Sequence, residues 1–291
     1  MIAAGHASPA VSFAQLTDAG RVRARNEDYA GAFEPDEPRL RDRRGRLFAV
    51  ADGMGGHARG DVASRLAVDT VRAAYFDDAA LADDVPGALV RSVERANAVL
   101  YAEGAGHDGE PRMGTTLTAL VVRDREAFVA HVGDSRAYLV RGREIRQLTE
   151  DHSLVSELVR KGVLTPSEAE HHPSAHVVVR ALGAASAVAV EVTGPVPLDD
   201  GDTLVLCTDG LSRLVTAREI LRAARARALP RACARLVRLA NRRGGPDNIT
   251  LQMVRVGRRH DPVAAVAAAL ADVADALRRW RPRAGAGRPA A

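Results

Sequence analysis

Cysteine is scarce in this 291-residue chain, which contains only Cys207 and Cys233. These two residues form neither a CxxC pair nor a cluster with histidine, so the sequence gives no sign of a zinc site or a disulfide framework. The first residues lack the basic and apolar segments of a secretion signal, and no apolar run reaches the length of a membrane span. We therefore expect a cytoplasmic protein with no membrane contact.

Lysine and aromatic residues are also rare. Lys161 is the only lysine, so the positive charge behind the formal net charge of +4 is almost all arginine, and aromatic residues make up 3% of the chain. Single-stranded nucleic acid is commonly bound by basic side chains interleaved with aromatic ones. We therefore expect no nucleic-acid partner. The hydrophobic content of 46%, by contrast, is ample for a large core.

Three apolar stretches of strand length end in an aspartate beside a glycine. They are Leu47–Ala51 before Asp52-Gly53, Phe128–Val132 before Gly133-Asp134, and Thr203–Thr208 before Asp209-Gly210. An isolated Asp-Gly pair is usually a turn. Three such strand ends in one chain indicate converging carboxylates, which raise one another's pKa unless a cation lies between them. The sequence therefore predicts a metal site.

The candidate metal ligands are all oxygen donors. They are Glu27, Asp28, Asp52, the Gly53 carbonyl, Asp134, Asp209 and Asp247. Sites of this kind suit Mg²⁺ or Mn²⁺ better than Zn²⁺ or Cu²⁺, and the ligands do not distinguish between the first two ions. Two such ions could share a hydroxide that attacks phosphorus in line, while the metals and a nearby arginine offset charge on the phosphoryl oxygens.

Strands occur in runs and helices in consecutive pairs, which is typical of an α+β sandwich and not of an alternating βαβ fold. We predict one catalytic domain at 11–257, with a flap insertion at about 150–183. A charged surface excursion is expected at 34–46 and a strand at 187–192. Residues 258–291 are predicted to form a helix and then a flexible basic tail.

Six short motifs follow one another between about Gln15 and Val256. They are Asp18–Asp28 (DAGRVRARNED), Val50–His57 (VADGMGGH), Met113–Leu117 (MGTTL), His131–Arg136 (HVGDSR), Cys207–Leu211 (CTDGL) and Gly245–Ile249 (GPDNI). Each alone is a weak signal. Together and in this order they resemble the metal-dependent type 2C protein serine/threonine phosphatases, and Met54-Gly-Gly-His57 is typical of the bacterial branch. The resemblance implies a central β-sandwich of two mainly antiparallel sheets flanked by helix pairs.

The resemblance also implies two metal positions. Asp52 would bridge both ions, and Asp209 and Asp247 would complete the ligands of one of them. Glu27 and the carbonyl of Gly53 would bind the other. The reaction implied is hydrolysis of phosphoserine and phosphothreonine in proteins, with Mn²⁺ or Mg²⁺ as the ions.

Further roles follow from the same resemblance. Asp28 would act on the second ion through a water molecule. Asp134 together with Asp209 would hold a weaker third ion, and Arg23 would bind the substrate phosphate. Thr115 and Thr116, in the third motif, are expected to support the sheet by hydrogen bonds.

The chain departs from the animal members of this family directly after the Asp52-Gly53 pair. Those members have a histidine there that is proposed as the general acid, whereas this chain has Met54. Protonation of the leaving group must then come from His57, a metal-bound water or another group. His57 is the candidate catalytic residue that we carry forward beside Arg23 and Asp52.

Two other interpretations compete with the metal-dependent phosphatase. The segment Cys207–Arg213 fits the C-x5-R signature of cysteine-dependent phosphatases, but Asp209 would oppose both a thiolate and a phosphate there. Cys207 also alternates within an apolar strand, as a core residue does. The second alternative is an inactive phosphatase-like binding module. Such a module is expected to have lost metal ligands, yet all the candidate acids are present.

The expected partners follow from the proposed reaction. They are phosphorylated proteins, and bacterial relatives suggest a serine/threonine kinase of the same cell as the counterpart. We expect a monomer. The sequence does not name the physiological substrate.

Overall fold

The structure, a computed structural model, describes residues 9–54, 59–77, 84–104, 113–170 and 172–257. The strands are β1 (Ala10–Asp18), β2 (Asp28–Phe33), β3 (Arg46–Met54), β4 (Gly114–Thr115), β5 (Leu117–Arg123), β6 (Glu126–Val132), β7 (Arg136–Arg141), β8 (Glu144–Gln147), β9 (Glu191–Pro197), β10 (Thr203–Cys207) and β11 (Ile249–Gly257). The helices are α1 (Pro38–Arg44), α2 (Gly60–Asp77), α3 (Val85–Glu103), α4 (Leu154–Arg160), α5 (Pro166–Glu170), α6 (Asp209–Ser212), α7 (Ala217–Ala224) and α8 (Leu229–Arg242). The predicted tail at 258–291 lies outside the described residues.

The strands form two antiparallel sheets. One has the order β1-β11-β10-β7-β8, and the other has the order β2-β3-β5-β6-β9, with β4 paired to β3. Helices α2 and α3 contact the second sheet, whereas α7 and α8 contact the sheet that contains β1 and β11. The predicted α+β sandwich flanked by helix pairs is confirmed.

The alternation of side chains along the strands explains the four layers of the fold, which are the two sheets and the helix pair outside each of them. On β10, Leu204 and Leu206 are buried between the two sheets, whereas Val205 and Cys207 face the layer of α7 and α8. Successive side chains of a strand point to opposite faces, so a strand with apolar residues at every position is buried on both faces. The apolar runs that suggested strand ends in the sequence are therefore central strands covered on both sides.

One local prediction was wrong, and another segment contains a helix that was not predicted. The strand expected at 187–192 is β9, which begins only at Glu191 and continues through Gly194 and Pro195. Proline is tolerated there because β9 pairs only with β6 and so lies at the edge of its sheet. The excursion at 34–46 contains the short helix α1, which has Pro38 in its first turn, a favourable position for proline.

The segment at 150–183, predicted to be a flap, contains two short helices, α4 and α5. Within the described ranges, no helix combines the length and the apolar character needed to cross a bilayer.

Candidate metal centre

Five strand ends bring acidic residues to one edge of the sandwich. Asp28 begins β2 and Asp52 lies near the end of β3, and the two are directly opposite each other in the antiparallel register. Asp134 lies two residues after β6, Asp209 lies two residues after β10, and Asp247 lies two residues before β11. Side chains opposite each other on paired strands have Cβ atoms about 5 Å apart. The structure thus brings together carboxylates from five of the six sequence motifs.

Asp28 is a buried carboxylate with incomplete hydrogen bonding. Its Oδ2 accepts a hydrogen bond of 2.9 Å from the hydroxyl of Thr208, whereas Oδ1 is buried without a hydrogen-bond partner among the described residues. Burial raises the pKa of Asp28 to about 7, hydrogen bonds from Thr250 and Thr208 act against the rise, and repulsion from Asp209 adds to it. A buried acid of this kind favours either a proton or a metal cation.

Asp52 and Asp134 are in the same electrostatic situation. Burial raises the pKa of Asp52 well above its ordinary value, and repulsion from Asp28, Asp209 and Asp134 raises it further. Burial and the charge of Asp209 raise the pKa of Asp134 to about 7, although Arg213 partly offsets this. The raised pKa values express the cost of holding these acids together without a cation.

The third sequence motif fixes the backbone of Asp52. The hydroxyl of Thr116 accepts a hydrogen bond of 3.0 Å from the Asp52 amide, and the Thr115 hydroxyl donates one of 2.8 Å to the Asp52 carbonyl. Thr116 is bonded in turn to the Ser135 hydroxyl at 2.8 Å, beside Asp134. The expected supporting role of the two threonines is therefore visible, and their hydroxyl groups connect the segments that carry Asp52 and Asp134.

Asn248 positions the segment that leads to Glu27. Its side-chain oxygen accepts a hydrogen bond of 2.8 Å from the Glu27 amide, and its side-chain nitrogen donates to the carbonyls of Ala19 and Arg25. The sequence analysis gave Asn248 no role. Its place between the candidate acid Asp247 and a buried strand was the only available signal, because its partners are more than 220 residues away in sequence.

Close backbone packing explains the need for glycine beside Asp52. A Cβ at Gly53 would overlap the carbonyl oxygen of Gly60 and would lie 2.5 Å from the carbonyl oxygen of Glu27. A Cβ at Gly60 would lie 2.7 Å from the carboxyl carbon of Glu27. Both glycines thus allow the start of α2, the end of β3 and the Glu27 side chain to meet.

Two arginines contact three of the candidate ligands, Asp247, Asp209 and Asp134. Arg23 donates to Oδ2 of Asp247 at 2.9 Å, and its side chain is 54% exposed. Arg213 donates to Oδ2 of Asp209 at 2.8 Å, a contact that the sequence analysis missed. Arg136 instead forms a separate ion pair with Asp151, in agreement with a structural role.

The described residues contain no ready cluster of three His, Cys, Asp or Glu side chains around one metal position. Two observations nevertheless fit a divalent cation at this edge. The first is that Oδ1 of Asp28 and Oδ1 of Asp209 are both buried and lack a hydrogen-bond partner in the described part of the chain. The second is an all-oxygen donor set with mutual repulsion, which hard cations relieve. His57, the candidate acid, lies outside the described residues.

A protein-family model described as "Protein phosphatase 2C" matches residues 21–249, which is most of the chain and includes every candidate ligand. The chain belongs to the protein phosphatase 2C family. This confirms the family predicted from the six motifs, and with it the enzyme class, serine/threonine phosphatase.

Individual phosphatase 2C relatives agree with this assignment. The chain is 40% identical over 243 residues to the serine/threonine phosphatase stp of Listeria monocytogenes, covering 82% of this chain and 93% of that protein. The crystal structure of the Mycobacterium tuberculosis serine/threonine phosphatase PstP/Ppp superimposes with a TM-score of 0.75 at 36% identity, covering 85% of this chain and 99% of that one.

A further phosphatase 2C structure bears on the metal. The catalytic domain of a serine threonine protein phosphatase PstP, in complex with 2 manganese ions, matches with a TM-score of 0.70 at 35% identity. The match covers 85% of this chain and 98% of that chain.

Proposed function

We propose that this protein hydrolyses phosphoserine and phosphothreonine in proteins, using two Mn²⁺ or Mg²⁺ ions held by its strand-end acids. The observation that carries the proposal is the convergence of Asp28 and Asp134, which are buried, with Asp52 and Asp209, since the charges of these acids are incompletely compensated by protein groups. The manganese ions in the similar PstP domain support it.

The ligands follow the positions of the acids along the edge. The family resemblance implies that Asp52 would contact both ions, and its position opposite Asp28 and its repulsion by Asp209 support this role. Asp209 and Asp247 would hold one ion, and Glu27 with the Gly53 carbonyl would hold the other, with Asp28 acting through water. When bound, the ions would lower the pKa of a water molecule and offset charge on the phosphoryl oxygens.

Arg23 is suited to receive the phosphate. Its guanidinium is more than half exposed and is directed to the acidic edge by its bond to Asp247. A guanidinium can donate two parallel hydrogen bonds to phosphate oxygens. Phosphate binding to the Arg23 nitrogen that bonds Asp247 would free a carboxylate oxygen, Oδ2 of Asp247, for a metal ion.

The departing serine or threonine oxygen needs a proton. Met54 cannot supply it, since a thioether has no proton to donate. We propose His57 as the donor, because it is the nearest histidine in sequence to Asp52.

Two alternatives have less support. The thiol of Cys207 is fully buried, and burial raises its pKa to about 12, so it is neither accessible nor ionised near neutral pH. The candidate acids are all present, so an inactive binding module has no missing ligand to explain it. We propose phosphorylated proteins as substrates, with a serine/threonine kinase as counterpart. A monomeric state and a cytoplasmic location stay predictions.

The test is hydrolysis of a phosphothreonine peptide by the wild-type protein and by Cys207→Ser. We expect turnover by both proteins with Mn²⁺, and none with excess EDTA, because the thiol is a core group. Activity that survives EDTA and is lost in Cys207→Ser would establish the cysteine mechanism instead. No activity with Mn²⁺ or Mg²⁺, on this peptide or on a phosphoserine peptide, would favour the binding module.

A further inference from the structure

Arg213 lies where the resemblance to type 2C phosphatases would put a third ion. It follows Asp209 by one helical turn, and its Nε donates to Oδ2 of Asp209 at 2.8 Å. One terminal nitrogen of the same guanidinium lies 3.5 Å from Oδ2 of Asp134. Asp134 and Asp209, the two acids expected to share a weaker third ion, therefore already share the positively charged guanidinium of Arg213.

The same terminal nitrogen of Arg213 reaches the flap. It donates a hydrogen bond of 2.8 Å to the carbonyl oxygen of Ala175, in the turn between α5 and the return of the flap to the sheet. The flap and the protein core enclose a cleft of about 1160 Å³, lined by Asp134, Asp209 and Arg213 on one side and by Pro166 and Ala175 of the flap on the other. Arg213 thus bridges the cleft at its acidic end.

The remaining oxygen of Asp209 is directed elsewhere. Oδ1 is buried and has no hydrogen-bond partner among the described residues, whereas Oδ2 is bonded to Arg213. Asp209 can therefore use Oδ1 as a ligand of an ion shared with Asp52 while Arg213 holds Oδ2. A divalent ion between Asp134 and Asp209 would instead have to displace the guanidinium, because like charges repel at this distance.

We propose that the guanidinium of Arg213 occupies the position between Asp134 and Asp209 in place of a third metal ion, and that it fastens the flap to the metal centre. The inference rests on the proposed two-ion function. Arg213 acts here as a positioning residue, because it acts through Asp209 and the turn at Ala175. Loss of this side chain opens a third cation position and at the same time releases the flap.

The experiment compares wild type with Arg213→Gln, Arg213→Lys and the control Arg243→Gln. Arg243 is a matched arginine, because it also joins a carboxylate, Glu219, to a backbone carbonyl, that of Leu214, and its side-chain exposure of 39% is close to the 35% of Arg213. Mn²⁺ stoichiometry is measured by electron paramagnetic resonance and calorimetry. Amide hydrogen exchange of 172–179 is measured in the same Mn²⁺-loaded samples.

We expect two Mn²⁺ per chain for wild type and for Arg243→Gln, and a third, weaker Mn²⁺ for Arg213→Gln. Exchange at 172–179 should accelerate about tenfold in Arg213→Gln, which corresponds to the loss of one charge-assisted hydrogen bond. Lysine keeps the charge but cannot reach both Asp209 and Ala175, so Arg213→Lys should bind two ions and still show faster flap exchange.

Three Mn²⁺ in wild type, or two in Arg213→Gln with unchanged flap exchange, would overturn the assignment of Arg213 and leave the proposed function intact. If no protein bound Mn²⁺, the proposed function itself would fail. Turnover of p-nitrophenyl phosphate and of a phosphopeptide adds a second readout. A flap effect should raise KM for the peptide in Arg213→Gln more than KM for the small substrate.

Discussion

Buried carboxylates outside the metal centre are held by arginine, and those inside it are not held to the same extent. Asp202, whose side chain is 2% exposed, meets two nitrogen atoms of Arg141, the closer at 2.6 Å. Asp151 meets two nitrogen atoms of Arg136 in the same way. Asp28 is nearly as buried as Asp202, but the structure gives it no arginine among the described residues.

The difference separates acids that stabilise the fold from the acids that we propose as metal ligands. A buried carboxylate costs free energy unless a cation and hydrogen bonds compensate it. At Asp151 and Asp202 the chain provides both, and the flap base and the 199–202 turn are fixed as a result. At Asp28 and Asp52 the compensation is incomplete, and the pKa of each acid is raised.

Replacing Asp209 by asparagine should have the largest effect. We expect turnover with Mn²⁺ to fall by about 10²–10³-fold, since a neutral amide neither ligates the ions as strongly nor offsets their charge. The folded structure should persist, because the change removes a repulsion with Asp52. Steady-state kinetics with circular dichroism of the same sample tests this. Unchanged turnover would refute the placement of Asp209 at the metal centre.

Removing metal should make stability depend on pH in a defined direction. Folded Asp28 keeps its proton up to about pH 7, whereas the unfolded chain releases it near its ordinary pKa of 3.8. The folded state then holds the extra proton, so its free energy of unfolding should fall by on the order of 3 kcal/mol as pH rises from 4 to 7. Urea unfolding in EDTA at pH 5, 6 and 7, for wild type and Asp28→Asn, measures it.

The Asp28→Asn variant separates the pH dependence caused by Asp28 from an opposing pH dependence caused by His131. Burial lowers the pKa of His131 to about 4, so its stabilisation is present above its ordinary value of 6.5 and is lost as pH falls toward 4. The difference between wild type and Asp28→Asn removes the histidine contribution, and saturating Mn²⁺ should flatten that difference. If the free energy of unfolding in EDTA changed with pH in the same way for wild type and Asp28→Asn, the prediction would be contradicted.

Asp202→Asn should have the smallest effect. It should lower stability and leave turnover unchanged, whereas Asp209→Asn should lower turnover and leave the fold intact. We expect a loss of about 2 kcal/mol in the free energy of unfolding, since Arg141 loses a charged partner but its own side chain is 44% exposed. Turnover should stay at the wild-type value because Asp202 is remote from the acidic edge. Chemical denaturation with a kinetic assay checks both. A large loss of turnover without loss of stability would mean that the two classes of acid are not distinct.

The positions of the acids were predictable because strand ends follow local rules. An apolar run that ends in Asp-Gly indicates a buried strand that delivers a carboxylate to an edge, and Asp52, Asp134 and Asp209 lie at the same edge. The boundary of β9 was not predictable, because its tolerance of Pro195 depends on its being an edge strand, which only the complete sheet determines.

The partners of long side chains were likewise beyond the sequence. Arg213 could have been a solvated residue at the end of α6, and nothing local indicates that it reaches Asp134, which is 79 residues earlier in the chain. Asn248 was in a recognised motif, but its role depends on the loop before β2. Motifs thus specify which residues gather, and tertiary packing specifies which charges neutralise one another.

The first and last strands pair along their whole lengths, with Ala10 opposite Gly257 and Asp18 opposite Ile249. Among the described residues, these two strands are the paired strands farthest apart in sequence, and contacts of this kind are expected to form late because a long loop must close first. Asn248 directly precedes β11 and binds the amide of Glu27. A chain still on the ribosome, before residues 247–257 have emerged, therefore lacks both the carboxylate of Asp247 and the Asn248 contact to Glu27, and we expect phosphatase activity to begin only once synthesis has passed β11.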